Sequence, residues 1–120
     1  MPKQNPAARW NRTQLAEKLH AIGKDLRTLA ADIKRPQANA AAISSWHREV
    51  ASYVHDMSAL LAGEIPHSDR VMHKAEELRG ASDILVQWAD SPTDDTGNKA
   101  RAAQLTGIAE AIDAFADKLL

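Results

Sequence analysis

The chain has 120 residues, no cysteine and a formal net charge of −1. That is enough for one domain with its own core, and it rules out disulfides, thiolate metal cages and cysteine nucleophiles. Alanine is abundant, at 23 residues, while glycine, proline, phenylalanine and tyrosine are scarce, which favours helices because alanine loses no side-chain entropy in one.

Residues 1–10 carry no periodic pattern and are expected to form a flexible segment ahead of a single domain over 11–120. The first helix is predicted over about 11–34. Asn11 is placed to cap it with Gln14 reaching back, and Trp10 and Leu15 form a hydrophobic staple. Its buried seam is Leu15, Leu19, Ile22, Leu26, Leu29 and Ile33, at alternating spacings of four and three. Arg35 precedes Pro36 and is therefore pushed out of helical geometry.

The second helix is predicted over about 37–62, with Ile43, Trp46, Val50, Tyr53, Met57 and Leu60 as its seam. Val54 and Leu61 broaden that seam, and Gly63 is the expected stop. A third, over about 68–90, follows Pro66 with Ser68 as its cap. Its seam alternates large and small residues: Val71, Ala75, Leu78, Ser82, Leu85 and Ala89. "DSPTDDTGN" has the composition of a turn. The fourth helix, over about 98–119, buries Leu105, Ile108, Ile112, Phe115 and Leu119.

Short connections force neighbouring helices to run in opposite directions. The expected fold is therefore all-α, an antiparallel up-down-up-down four-helix bundle. Gly23, Gly80 and Gly107 fall inside three helices, where each costs about 1 kcal/mol relative to alanine, so a close helix approach or a bend is expected at each.

Catalytic and metal chemistry find little support. Glu17 and His20 have Glu-x-x-His spacing, but both fall opposite the first seam. His73 and Glu76 have the reversed order and also face outward, whereas a di-metal bundle needs such pairs pointing inward from two helices. His47 borders the core and reads as a hydrogen-bonded structural residue. Ser44, Ser45, His47 and Asp56 lie on one helix, where a serine has no free backbone donors to form an oxyanion pocket. There is no Gly-x-Ser-x-Gly turn and no phosphate-cradling glycine loop. No enzyme activity, metal or cofactor is expected.

Two surfaces stand out instead. Residues 1–35 hold eight Lys/Arg against three acids, and residues 36–120 hold seven against thirteen, an asymmetry that a uniform polar coat would lack. His20, Lys24, Arg27, Lys34 and Arg35 form a basic stripe on the first helix, while Glu110, Asp113 and Asp117 give the outer face of the fourth the opposite sign. On the third helix, Ile84, Leu85, Val86 and Trp88 spread apolar character over roughly 200° of arc, more than one seam needs. Ile84 and Trp88 share its edge.

These surfaces predict a protein-interaction module: an accessory, adaptor or inhibitor protein docking a helix face onto a larger complex. The alternative is a small helical subunit that contacts a nucleic-acid backbone through the basic face of the first helix. No aromatic residues interleave with the stripe, so base stacking is not expected. A protein partner is the leading expectation, and self-association is compatible with it. In size and expected architecture the chain is similar to the small helical subunits of CRISPR effector complexes and to several phage-encoded inhibitors. That likeness rests on length and fold class, and fold alone does not imply function. No apolar run reaches the ~20 residues of a membrane span, and "MPKQNPAARW" lacks the apolar stretch of a signal peptide. The expected location is cytoplasmic, with no membrane contact.

Overall fold

The computed structural model describes residues 12–35, 39–64 and 69–119. Four helices make up almost all of them: α1 (Arg12–Ile33), α2 (Ala40–Glu64), α3 (Asp69–Asp90) and α4 (Asp95–Leu119). No strand occurs among the described residues. The expected flexible segment 1–10, the Trp10/Asn11 start of α1, Pro36, Pro66 and the Ser68 cap all lie outside them.

Local chemistry sets the helix ends. The last turn of α1 tightens, with the amides of Lys34 and Arg35 donating to the carbonyls of Ala31 and Asp32, as orphan carbonyls at a helix end require. α2 begins at Ala40 rather than 37 because Asn39 caps it, its Oδ1 accepting from the Ala42 amide at 2.8 Å. It runs through Gly63, the expected stop, to Glu64. α4 begins three residues earlier than expected. Asp94 is the cap, accepting from the Gly97 amide at 2.8 Å, and Asp95 places a carboxylate in the first turn, where the helix dipole favours it.

α1 packs most extensively on α4 and α2 on α3, while α1 meets α2 more sparingly. The tight pairs share a sequence device. α1 buries Ala16, Gly23 and Ala30 at seven-residue intervals, and α4 buries Ala102, Ala109 and Ala116 at the same interval. α2 offers Ser44, Ala51 and Ser58, and α3 offers Ala75, Ser82 and Ala89. Small side chains on facing stripes let two helix axes approach closely. Two hydroxyls then bond across the second pair: Ser58 Oγ donates to the Ala75 carbonyl at 2.8 Å, and Ser82 Oγ to the Ala51 carbonyl at 3.0 Å. These buried hydroxyls leave no unmet donor.

Between the two pairs lie the large residues. Leu15, Leu19, Leu26, Ile33, Val54, Leu61, Leu78, Leu85, Leu105 and Ile112 are all at most 2 % exposed, so the seams of α1 and α3 are where periodicity put them, as is that of α4 apart from Ile108, which is only partly buried. The α2 seam is rotated. Its centre is His47, Val54 and Leu61, all fully buried. Trp46 and Leu60 are only partly buried, and Tyr53 is 46 % exposed. Both heptad rows are apolar apart from His47, and that polar residue disguised the inner row as the outer one.

Gly23 marks a close approach: a Cβ there would stand 2.9 Å from Asp113 Oδ1. Gly80 and Gly107 do not, since nothing lies within 4 Å of a Cβ at either. For those two, the expectation of crowding is corrected.

Candidate functional site

The basic stripe of α1 and the acidic face of α4 meet each other. His20 Nδ1 lies 2.7 Å from Asp113 Oδ1 and its Nε2 lies 3.2 Å from Asp117 Oδ1, while Arg27 Nη1 lies 2.5 Å from Asp113 Oδ2. His20 and Asp113 are therefore not free outward groups. With a carboxylate at each ring nitrogen, the imidazolium is the form that donates twice. The Asp113 hydrogen bond raises the His20 pKa; burial opposes it, and the charges of Asp113 and Asp117 and the Asp117 hydrogen bond add to the rise. Partial burial pushes the Asp113 pKa up, but the hydrogen bonds and charges of His20 and Arg27 outweigh it and hold the group below the ordinary aspartate value. Gly23 makes room for this carboxylate.

The rest of the stripe is divided. Arg35 reaches back to Asp32 at 3.3 Å, while Lys24 and Lys34 are exposed. The sequence placed all five cations on one side of α1, but the fold commits His20 and Arg27 to α4.

The apolar edge of α3 is divided too. Trp88 belongs to the bundle: the His47 ring meets it edge-on with centroids 5.9 Å apart, and the Arg101 guanidinium lies 5.3 Å from its ring centre. Arg101 also donates to the carbonyls of Trp88 and Ser91. Ile84 is 39 % exposed and lines an apolar groove of about 330 Å³ between α3 and α4, with Ala81, Ile108 and Ala111. At its rim Lys74 and Glu77 pair with each other at 2.6 Å, so the groove has no net charge to offer a partner.

His47 is structural, as expected, but lies deeper than its sequence position suggested. It is fully buried, and its Nδ1 donates to the Ile43 carbonyl at 2.8 Å. Burial lowers its pKa. The hydrogen bond to Ile43 opposes this, and the nearby Arg101 charge adds to it. The neutral ring leaves Nε2 as a buried acceptor with no protein partner.

A third surface was missed in the sequence. A trough runs along α1 and α2 in two adjoining stretches of about 420 and 160 Å³ that share Asp25 and Tyr53. Trp46, Tyr53 and Leu60 form its α2 wall, and Ala21 and Thr28 lie on the α1 side. Four carboxylates line it, from Asp25, Asp32, Glu49 and Asp56, against one Lys18 ammonium. Glu49 accepts from the Tyr53 hydroxyl at 3.2 Å. Partial burial raises the Asp25 pKa; Lys24 opposes that rise and the Glu49 charge adds to it. The signal that could have found the trough is the 46/53/60 row, a second apolar heptad row beside 47/54/61 that one core face cannot bury in full.

Among the described residues no three His, Asp or Glu side chains converge as a metal-binding group. Glu17 is exposed, and His73 pairs along its own helix with Glu77 at 2.9 Å rather than with Glu76. No described helix is long and apolar enough to cross a membrane. No protein-family model, characterised protein or solved structure matches the chain.

Proposed function

We propose that this protein is a non-enzymatic interaction module, a cytoplasmic accessory, adaptor or inhibitor protein that docks onto a protein partner through a groove between its helices. The observation that carries this reading is the α1/α2 trough, which exposes Tyr53 and parts of Trp46 and Leu60 between rows of carboxylates. Large aromatic residues at a partly desolvated groove are favoured anchors for a protein partner.

The proposed topology is antiparallel, up-down-up-down, within a single domain. Cross-helix contacts support it. Between α2 and α3, Arg48 meets Asp90, Ala51 meets Ser82 and Ser58 meets Ala75, so partner numbers fall as position rises. Between α3 and α4, Lys74 meets Phe115 and Trp88 meets Arg101.

Binding along a nucleic-acid backbone is the weaker reading, because His20 and Arg27 already have carboxylate partners. Arg35 has one too, in Asp32, so Lys24 and Lys34 alone would give a salt slope of about −1.8 and a loss of roughly 12-fold between 50 and 200 mM salt.

The test is affinity capture from the source cells at about 50 and about 200 mM salt, scoring protein and nucleic acid. A stoichiometric protein that survives the higher salt, is retained by Lys24→Glu/Lys34→Glu and is lost with Tyr53→Asp is the expected result. Salt-labile nucleic acid lost with the lysine double variant would overturn the proposal in favour of the second reading.

A further inference from the structure

The α1/α2 trough is more regular than an incidental groove. Its apolar wall, Trp46, Tyr53 and Leu60, repeats every seven residues. The carboxylates repeat at the same interval, Asp25 and Asp32 on the α1 side and Glu49 and Asp56 on the α2 side. Seven residues are about 10.5 Å of helix, and Trp46 to Leu60 spans about 21 Å. An apolar strip flanked on both sides by heptad-spaced charges is the surface one member of a coiled coil presents to another.

From this we infer that the trough receives a single helix of a partner protein, about three heptads long, with apolar a and d residues and Lys or Arg at the flanking e and g positions. This rests on the interaction-module reading and names its partner class. The sign of the flanking charge comes from the trough itself. Lys18 is the one cation lining it; on the α1 side Lys24 stands beside Asp25 and Arg35 pairs with Asp32, while Glu49 and Asp56 on the α2 side are exposed. An acidic flank laid along α2 would meet like charge at Glu49 and Asp56, which is unfavourable and selects against it. The α3/α4 groove, by contrast, has its Lys74 and Glu77 charges mutually paired and specifies no such partner.

The probe is a displayed library of helices of about three heptads. Apolar residues are fixed at a and d, and each e and g position is either Lys or Glu. The library is selected on the full chain. Lys should dominate the flanking positions of the enriched helices. Those helices should bind Glu49→Lys/Asp56→Lys at least ~10-fold more weakly, a difference of about 1.4 kcal/mol. Both substituted side chains are exposed, and circular dichroism checks that the double variant keeps its helical fold.

Equal use of Lys and Glu, or undiminished binding to the double variant, would overturn the inference. Enriched helices lost with Ile84→Asp, but not with the acidic double variant, would move docking to the α3/α4 groove; the inference would fall while the interaction module stood. Failure of the folded protein to enrich any helix would overturn both. Self-association abolished by Glu49→Lys/Asp56→Lys would assign the trough to a second copy and also overturn the inference.

Discussion

Replacing each mid-helix glycine with alanine turns the α1/α4 ion-pair cluster into a measurable quantity. In an unobstructed helix interior, alanine is favoured over glycine by about 1 kcal/mol, partly because it restricts the unfolded chain. At Gly80 and Gly107 a Cβ meets nothing within 4 Å, so Gly80→Ala and Gly107→Ala should each stabilise by about 0.5–1 kcal/mol. At Gly23 the new methyl would stand 2.9 Å from Asp113 Oδ1, an oxygen that also accepts from His20, while Oδ2 is held by Arg27. Moving that carboxylate weakens two partly exposed pairs, each worth about 0.2–1 kcal/mol after solvent screening. The propensity gain is then cancelled or reversed, and Gly23→Ala should fall between about zero and 1 kcal/mol destabilising. The assay is urea denaturation of the three variants, with midpoints compared at unchanged slope. A double-mutant cycle sharpens it: in an Asp113→Ala background the obstruction is gone, and Gly23→Ala should recover the stabilisation seen at Gly80. Equal gains at all three glycines, with no coupling to Asp113, would refute the reasoning.

Leu85 is 1 % exposed at the centre of the α3 seam, and Leu85→Ala should cost about 2–5 kcal/mol in the same denaturation assay. The two perturbed histidines should titrate on opposite sides of the ordinary value of 6.5. The His20 pKa is raised, so its stabilisation is fully present below 6.5 and fades as pH rises through the higher folded value; His20→Asn should abolish that decline. The His47 pKa is lowered, so the unfolded chain takes up a proton first and stability falls as pH drops below 6.5. Imidazole NMR titration checks both, and superimposed curves would contradict these environments. In a titration of duplex DNA at about 50 mM salt, any residual binding should be weakened by Lys24→Glu/Lys34→Glu, with a shallower salt slope.

Helix content and the identity of most core positions were legible in the chain itself. Leu15 to Ile33, Val71 to Ala89 and Leu105 to Leu119 recur at helical spacing, and a helix buries what its period aligns. Alanine richness and scarce glycine left no competing strand pattern. Local rules also located the helix ends to within about three residues, the starts of α2 and α4 being displaced most because Asn39 and Asp94 act as their caps. What only the tertiary structure decided is which faces meet. Periodicity assigns a residue to a side of its own helix but says nothing of what stands opposite. His20 and Arg27 therefore looked like a free cationic stripe until α4 brought Asp113 and Asp117 against them. Tyr53 looked like core until the fully buried His47/Val54/Leu61 row showed how α2 is rotated. That rotation follows from the small-residue heptads of Ser44, Ala51 and Ser58, which draw α2 onto α3. It leaves Trp46, Tyr53 and Leu60 along the looser boundary with α1, and the trough exists because that boundary has no such stripe of small residues to close it.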